Sequence, residues 1–191
     1  MWHRLFFRPM ASLALAVALC PLPAALAADT HATVADSEVH VERANGSFTV
    51  DITLHVPVDA ARAWAVVTDF EHMADFVPNL ASSQVTERSD TLVKVVQKGV
   101  AKYGVFSTPF ESTREIHLIP THEIRAHGVG GNVQRMESLM QLEPEGTGTR
   151  LTYHAEVQPG FWFPPLIGPS LVQHQTAEQF SAMLHEMLRR P

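Results

Sequence analysis

Three histidines spaced by five, His117, His122 and His127, are the first residues in this chain whose type suits metal or acid–base chemistry. Metal ligands on one strand need even spacing, and ligands on one helix need a spacing of three or four. Five fits neither, and a Pro120 turn separates the histidines, so only cross-strand pairing would join two of them. They are expected as ordinary surface or sheet histidines, with no metal site. Nucleophilic chemistry is equally thin. The chain carries neither a G-x-S-x-G elbow nor an H-E-x-x-H pair. Its single cysteine, Cys20, lies in an N-terminal apolar run. Residues 128–131, GVGG, lie between two strand-like segments. A phosphate cradle needs a helix N-terminus after it, so they read as a hairpin turn. No cofactor and no catalytic residue is expected.

A second set is polar but not reactive in itself. Arg114, Arg125, Arg135, Tyr103, Tyr153 and His154 fall on strand-like segments. Inward polar groups on a sheet that encloses a cavity can orient a ligand or polarise a carbonyl. For the arginines the expected orientation is outward, to solvent or to Glu111, Glu115, Glu123 and Glu137.

The elements that must position these residues start well inside the chain. Arg4 and Arg8 precede an apolar run over residues 10–19, followed by Pro21, Pro23 and Ala25-Leu26-Ala27. That is the form of a secretory signal peptide with an A-x-A cleavage site. The run is too short for a bilayer, which needs about 20 apolar residues. Residues 1–27 are therefore expected to be removed and the protein to be periplasmic or secreted. The formal charge then moves from −6 to −8, because the lost segment holds two arginines and no acid. Without Cys20, disulfides and thiolate chemistry are excluded. An acidic chain without a basic cluster argues against nucleic acid.

Residues 28–37 are polar and aperiodic and read as a flexible leader, leaving one domain over 38–190. Asn45-Gly46 between alternating runs signals a hairpin. Its second arm puts Phe48, Val50, Ile52, Leu54 and Val56 on one face. Asp59 suits the N-cap of a helix carrying Trp64, and Asp69 that of a helix over 71–76. Strand patterns recur over 81–87, 91–100, 109–119, 122–127, 133–142 and 149–157, joined by short turns, which implies an antiparallel sheet. A proline-rich apolar loop over 159–169 precedes a long helix ending near Arg189. Val172, Thr176, Phe180, Met183, Leu184 and Met187 form its apolar stripe, with Gln173, Glu178 and Glu186 facing away. Periodicity alone thus gives an α+β domain with one sheet and one long terminal helix.

Residues 56–85 sharpen this. Pro57, Trp64, Asp69, Phe70, Phe76 and Pro78 fill the pattern P-x-x-x-x-x-W-x-x-x-x-D-[FY]-x-x-x-x-x-F-x-P. The segment resembles the opening of the polyketide cyclase/dehydrase group within the START-like (SRPBCC) helix-grip superfamily, and is similar to its coenzyme Q-binding branch. The resemblance implies a helix-grip fold: a curved antiparallel sheet wrapped around a long C-terminal helix, with two short helices after the first long strand. It also implies a cavity between sheet and helix. On that fold Phe106, Met136, Met140, Phe180 and Met183 would supply apolar contact. Arg125 and Tyr153 would orient a ligand, and Trp162 would stand near the entrance. The expected function is binding of a hydrophobic small molecule such as a lipid, a quinone or a polyketide-like aromatic, by a monomer. The alternatives are a polyketide cyclase or aromatase-type enzyme, and an envelope structural or stress protein whose cavity is filled by its own side chains.

Overall fold

The computed structural model describes residues 33–103, 106–160 and 168–191, the side chains of Tyr103 and Phe106 aside. The expected signal segment over 1–27 lies outside the described residues. A hairpin opens the sheet: β1 (Val39–Ala44) and β2 (Ser47–Val56). Between them Asn45 and Gly46 have φ of 52° and 83°. Positive φ at both central residues is what a type I′ turn demands and why Asn-Gly is placed there. Along β2 the alternation predicted from sequence holds, with Phe48, Val50, Ile52, Leu54 and Val56 buried.

Two short helices follow, α1 (Ala60–Val67) and α2 (Met73–Phe76). The Asp59 carboxylate caps α1, accepting from the Arg62 backbone N–H at 2.8 Å. Asp69 does not cap α2. The chain makes an extra turn, His72 precedes the helix, and Asp69 instead accepts from His72 Nδ1 and Arg190 Nη2, each at 2.7 Å. Six strands come next: β3 (Leu80–Arg88), β4 (Leu92–Tyr103), β5 (Phe106–Ile119), β6 (Glu123–Gly131), β7 (Val133–Glu145) and β8 (Gly148–Pro159). The strands pair antiparallel in the order β1-β2-β8-β7-β6-β5-β4-β3, a curved sheet that does not close. The last element, α3 (Gly168–Arg189), lies against its concave side and meets β1, β2, β4 and both short helices. This is the helix-grip architecture.

Residues 128–131 are not a turn. They complete β6, and the chain reverses at Asn132. The register jumps there from Thr113↔Gly130 to Arg114↔Gly128, leaving Val129 as a bulge. Gly131 is needed because a Cβ would lie 2.1 Å from the Glu111 carbonyl oxygen, at a φ of 99°.

Part of the segment expected to be a flexible leader is packed against the domain. Val34 is buried, its N–H donates to Ser181 Oγ at 2.8 Å, and a 3₁₀ turn over Asp36–Glu38 leads into β1. The polar stripe of α3 is also less exposed than its sequence suggests. Gln173 Nε2 donates to the Val39 carbonyl, and Glu178 accepts from Asn79 and Gln175. Glu186 is buried and accepts from both Arg189 and Arg190. A helix gripped by a curved sheet has neighbours on more than one side, so a single apolar stripe understates what it buries.

Candidate functional site

Strand periodicity decides which residues face α3. On β5, Phe110, Ser112, Arg114 and Ile116 share the concave face, and Glu111 and Glu115 the other. On β7 the inward set is Met136, Ser138 and Met140, and on β8 Tyr153 and Val157. Ala177, Leu184 and Met187 of α3 are buried in one core with residues of the sheet and of α1. Side chains do not fill the whole interior. A cavity of about 320 Å³ remains, bounded by the sheet, the α2–β3 connection and the Gln175–Met183 flank of α3. That volume lies within the range of small-molecule sites.

Its walls are mainly apolar. Phe70 and Met73 close one side, Ile116, Ile124, Met136 and Met140 form the floor, and Phe180 and Met183 the roof. The Tyr153 and Phe180 rings tilt against each other with centroids 5.3 Å apart. Gly99 keeps the β4 wall thin, for a Cβ there would meet the Phe110 ring at 2.7 Å and the Asn79 carbonyl oxygen at 2.2 Å.

One pole is polar, and its hydrogen bonds run in a defined direction. The Phe70 carbonyl accepts from Ser83 Oγ at 2.5 Å, and Ser83 Oγ accepts from Gln97 Nε2 at 3.0 Å. With its amide nitrogen committed, Gln97 presents Oε1 to Arg114, whose Nη2 donates to it. Arg114 Nε is buried without a partner among the described residues. Burial depresses the tendency of Arg114 to hold its proton, partly offset by nearby Tyr153. Burial likewise pushes the Tyr153 hydroxyl above the usual phenol value, with Arg114 and a bond to Ser138 pulling the other way.

The structure brings together five of the eight residues singled out from sequence: Met136, Met140, Tyr153, Phe180 and Met183 all line the cavity. Arg125 is not among them. It stands on the outer face, 63% exposed, with Nε 2.5 Å from Glu123 Oε1. Its neighbours Ile124 and Ala126 take the inward positions, and period two sends Arg125 outward. Trp162, with the Phe161–Phe163 loop, and the Phe106 side chain lie outside the described residues. The arginine that does enter is Arg114, expected to face solvent. Phasing would have found it, because Arg114 alternates with Glu115 and shares parity with Phe110 and Ile116. Gln97 shares parity with Val93 and Val95, and Ser83 with Val85, but nothing in the sequence signals that the two meet each other and Arg114. Of the histidines, His117 and His122 are exposed and His127 pairs with Glu137.

A family profile described as polyketide cyclase / dehydrase and lipid transport matches residues 56–182. No curated protein matches the chain. Among solved structures, the chain is similar to the Zhui aromatase/cyclase from Streptomyces sp. R1128, with a TM-score of 0.64 at 17% identity over 75% of this chain and 95% of that one. It is similar to the START superfamily protein from Mycobacterium smegmatis, with a TM-score of 0.63 at 14% identity over 74% and 97%. A STAR-related lipid transfer protein from Xanthomonas axonopodis aligns with a TM-score of 0.61 at 14% identity over 80% and 99%. At these identities the likeness is one of fold.

Proposed function

Because the chain belongs to the polyketide cyclase/dehydrase and lipid transport family, we propose that it binds a hydrophobic small molecule in the cavity between the sheet and α3. The observation that carries this reading is the cavity itself: about 320 Å³, walled by Met, Phe and Ile side chains, with polar groups gathered at one pole. Pockets of that make-up hold apolar ligands and orient them by a few polar contacts. Methionines suit such a wall because they adapt their shape to the occupant. The open volume weighs against the alternative in which the protein fills its own interior.

The test is calorimetric titration of delipidated protein with a quinone, a fatty acid and an aromatic polyketide. Met136→Trp serves as a cavity-filling control. Saturable binding that Met136→Trp weakens supports the reading, and no binding by any of the three classes overturns it.

A second reading is a cyclase or aromatase. The adjacency of Arg114 and Tyr153 favours it, since a cation and a phenol side by side can polarise a ligand carbonyl and stabilise the charge that develops on its oxygen. Turnover of a poly-β-ketone, lost in Tyr153→Phe, would support it. We further propose export by way of residues 1–27. The supporting features are Arg4, Arg8, the short apolar run and Ala25-Leu26-Ala27.

A further inference from the structure

We propose that the cavity selects an amphiphile with a single negative charge, a carboxylate on an apolar body, and that Arg114 receives that carboxylate; this rests on the cavity being a binding site.

The argument is a charge balance. Among the described residues, Arg114 is the one charged side chain on the cavity wall. It enters no ion pair among them, whereas Arg125, Arg150, Arg189 and Arg190 each have a carboxylate partner. A guanidinium stays protonated in a protein, so the cavity carries one uncompensated positive charge. Burying an unpaired charge is costly, and the cost is recovered when a counter-charge arrives in hydrogen-bonding geometry.

The relay behind Arg114 determines what it offers. Gln97 takes one of the guanidinium's five donors and is itself held by Ser83, and Nε is buried without a partner among the described residues. Carboxylates match the planar fork of arginine, with two oxygens for two parallel N–H groups. The nearby Tyr153 hydroxyl adds a further donor. A neutral carbonyl or hydroxyl could be satisfied by Ser112, Ser138 and Tyr153 and would leave the charge uncompensated. A phosphate monoester brings about −1.5 to −2 charges, more than one arginine balances. One carboxylate does balance it.

The experiment compares ligands of one chain length on delipidated wild-type protein by calorimetry: dodecanoate, 1-dodecanol, dodecylamine and dodecyl phosphate. The expected order places dodecanoate first, about 10- to 100-fold tighter than 1-dodecanol, as one charge-assisted contact provides. Dodecyl phosphate should be weaker than dodecanoate, and dodecylamine should show no measurable binding. Arg114→Met should bind dodecanoate and 1-dodecanol alike, with an unchanged circular dichroism spectrum, and Arg114→Lys should keep part of the preference. Should Arg114→Met fail to fold, the wild-type order decides. Equal binding of dodecanoate and 1-dodecanol by wild type overturns the charge assignment and leaves the cavity reading standing. Binding by none of these probes, nor by the quinone and the polyketide, overturns both.

Discussion

At the scale of single residues, two arginines on neighbouring strands have opposite fates. Arg114 and Arg125 both sit among alternating residues, and parity alone separates them. Arg114 shares its face with Ile116 and enters the cavity, and Arg125 shares its face with Glu123 and meets solvent. The same fine geometry makes Gly99 critical. Its backbone passes so close to Asn79 and Phe110 that any Cβ overlaps them, and the Asn79 carbonyl also accepts the Val100 N–H at 2.8 Å. Gly99→Ala should therefore push Phe110 inward and strain the β3–β4 pairing. Overpacking of this kind costs about 1–3 kcal/mol. The expected result is a lower urea midpoint together with weaker ligand binding. A variant with wild-type midpoint and affinity would show that the wall yields freely.

At the scale of elements, α3 does two things at once. Its inner residues join the buried core and roof the cavity, and Phe180 takes part in both. Phe180→Ala should cost about 3–5 kcal/mol, as large-to-small changes at buried aromatic sites do. His185→Ala, at an exposed position of the same helix, should stay within about 0.5 kcal/mol. Urea unfolding of the two variants checks the pair, and comparable losses would mean that the helix face has been misassigned. Glu178 is not a neutral comparison, despite its polar type, because it accepts from Asn79 and Gln175 and so ties α3 to the α2–β3 connection.

At the scale of the molecule, the end of α3 is clipped onto the α1–α2 connection. Arg190 reaches from the end of α3 to Asp69 Oδ2 at 2.7 Å and to Glu186, while Asp69 also receives His72. The Arg189 and Arg190 bonds hold the Glu186 carboxyl at about 2, below its ordinary 4.5, despite burial. Burial also works against the Asp69 carboxylate, but bonds from His72 and Arg190 outweigh it and lower its pKa. A depressed carboxylate contributes stability that is present above its ordinary pKa and is lost as pH falls toward the folded value. The clip should therefore weaken on acidification from about 4.5 to about 2. His72 has the opposite sign: its pKa is raised by Asp69, and its contribution fades as pH rises. Glu186→Gln should cost about 1.5–3 kcal/mol at neutral pH, the worth of hydrogen bonds to a charged group. It should also flatten the acid limb of the melting-temperature profile. An acid limb identical to wild type would remove Glu186 from the account. The proposed export makes a separate prediction for the whole chain: N-terminal sequencing of the protein from the periplasm or medium should begin at Ala28, and intact Met1 in a soluble cytoplasmic fraction would contradict it.

The sequence by itself determined the elements. Period two along 48–56, the Asn-Gly hairpin, the Asp59 cap and the turn-separated strand runs are local signals, because side-chain alternation and turn backbone angles depend on near neighbours. The family pattern from Pro57 to Pro78 then supplied the topology. On that topology part of the cavity wall was legible, since Met136, Met140 and Tyr153 keep the parity of their strands and Phe180 and Met183 the stripe of their helix. What the tertiary structure alone decided is the cavity's polar end. The chain from the Phe70 carbonyl through Ser83 and Gln97 to Arg114 joins three strands and a connecting turn, and no spacing in the sequence encodes a contact between them. Burial of Glu186, docking of Val34 on Ser181 and the β6 bulge at Val129 are of the same kind. Each depends on how far the sheet curves around α3, a property of eight strands acting together.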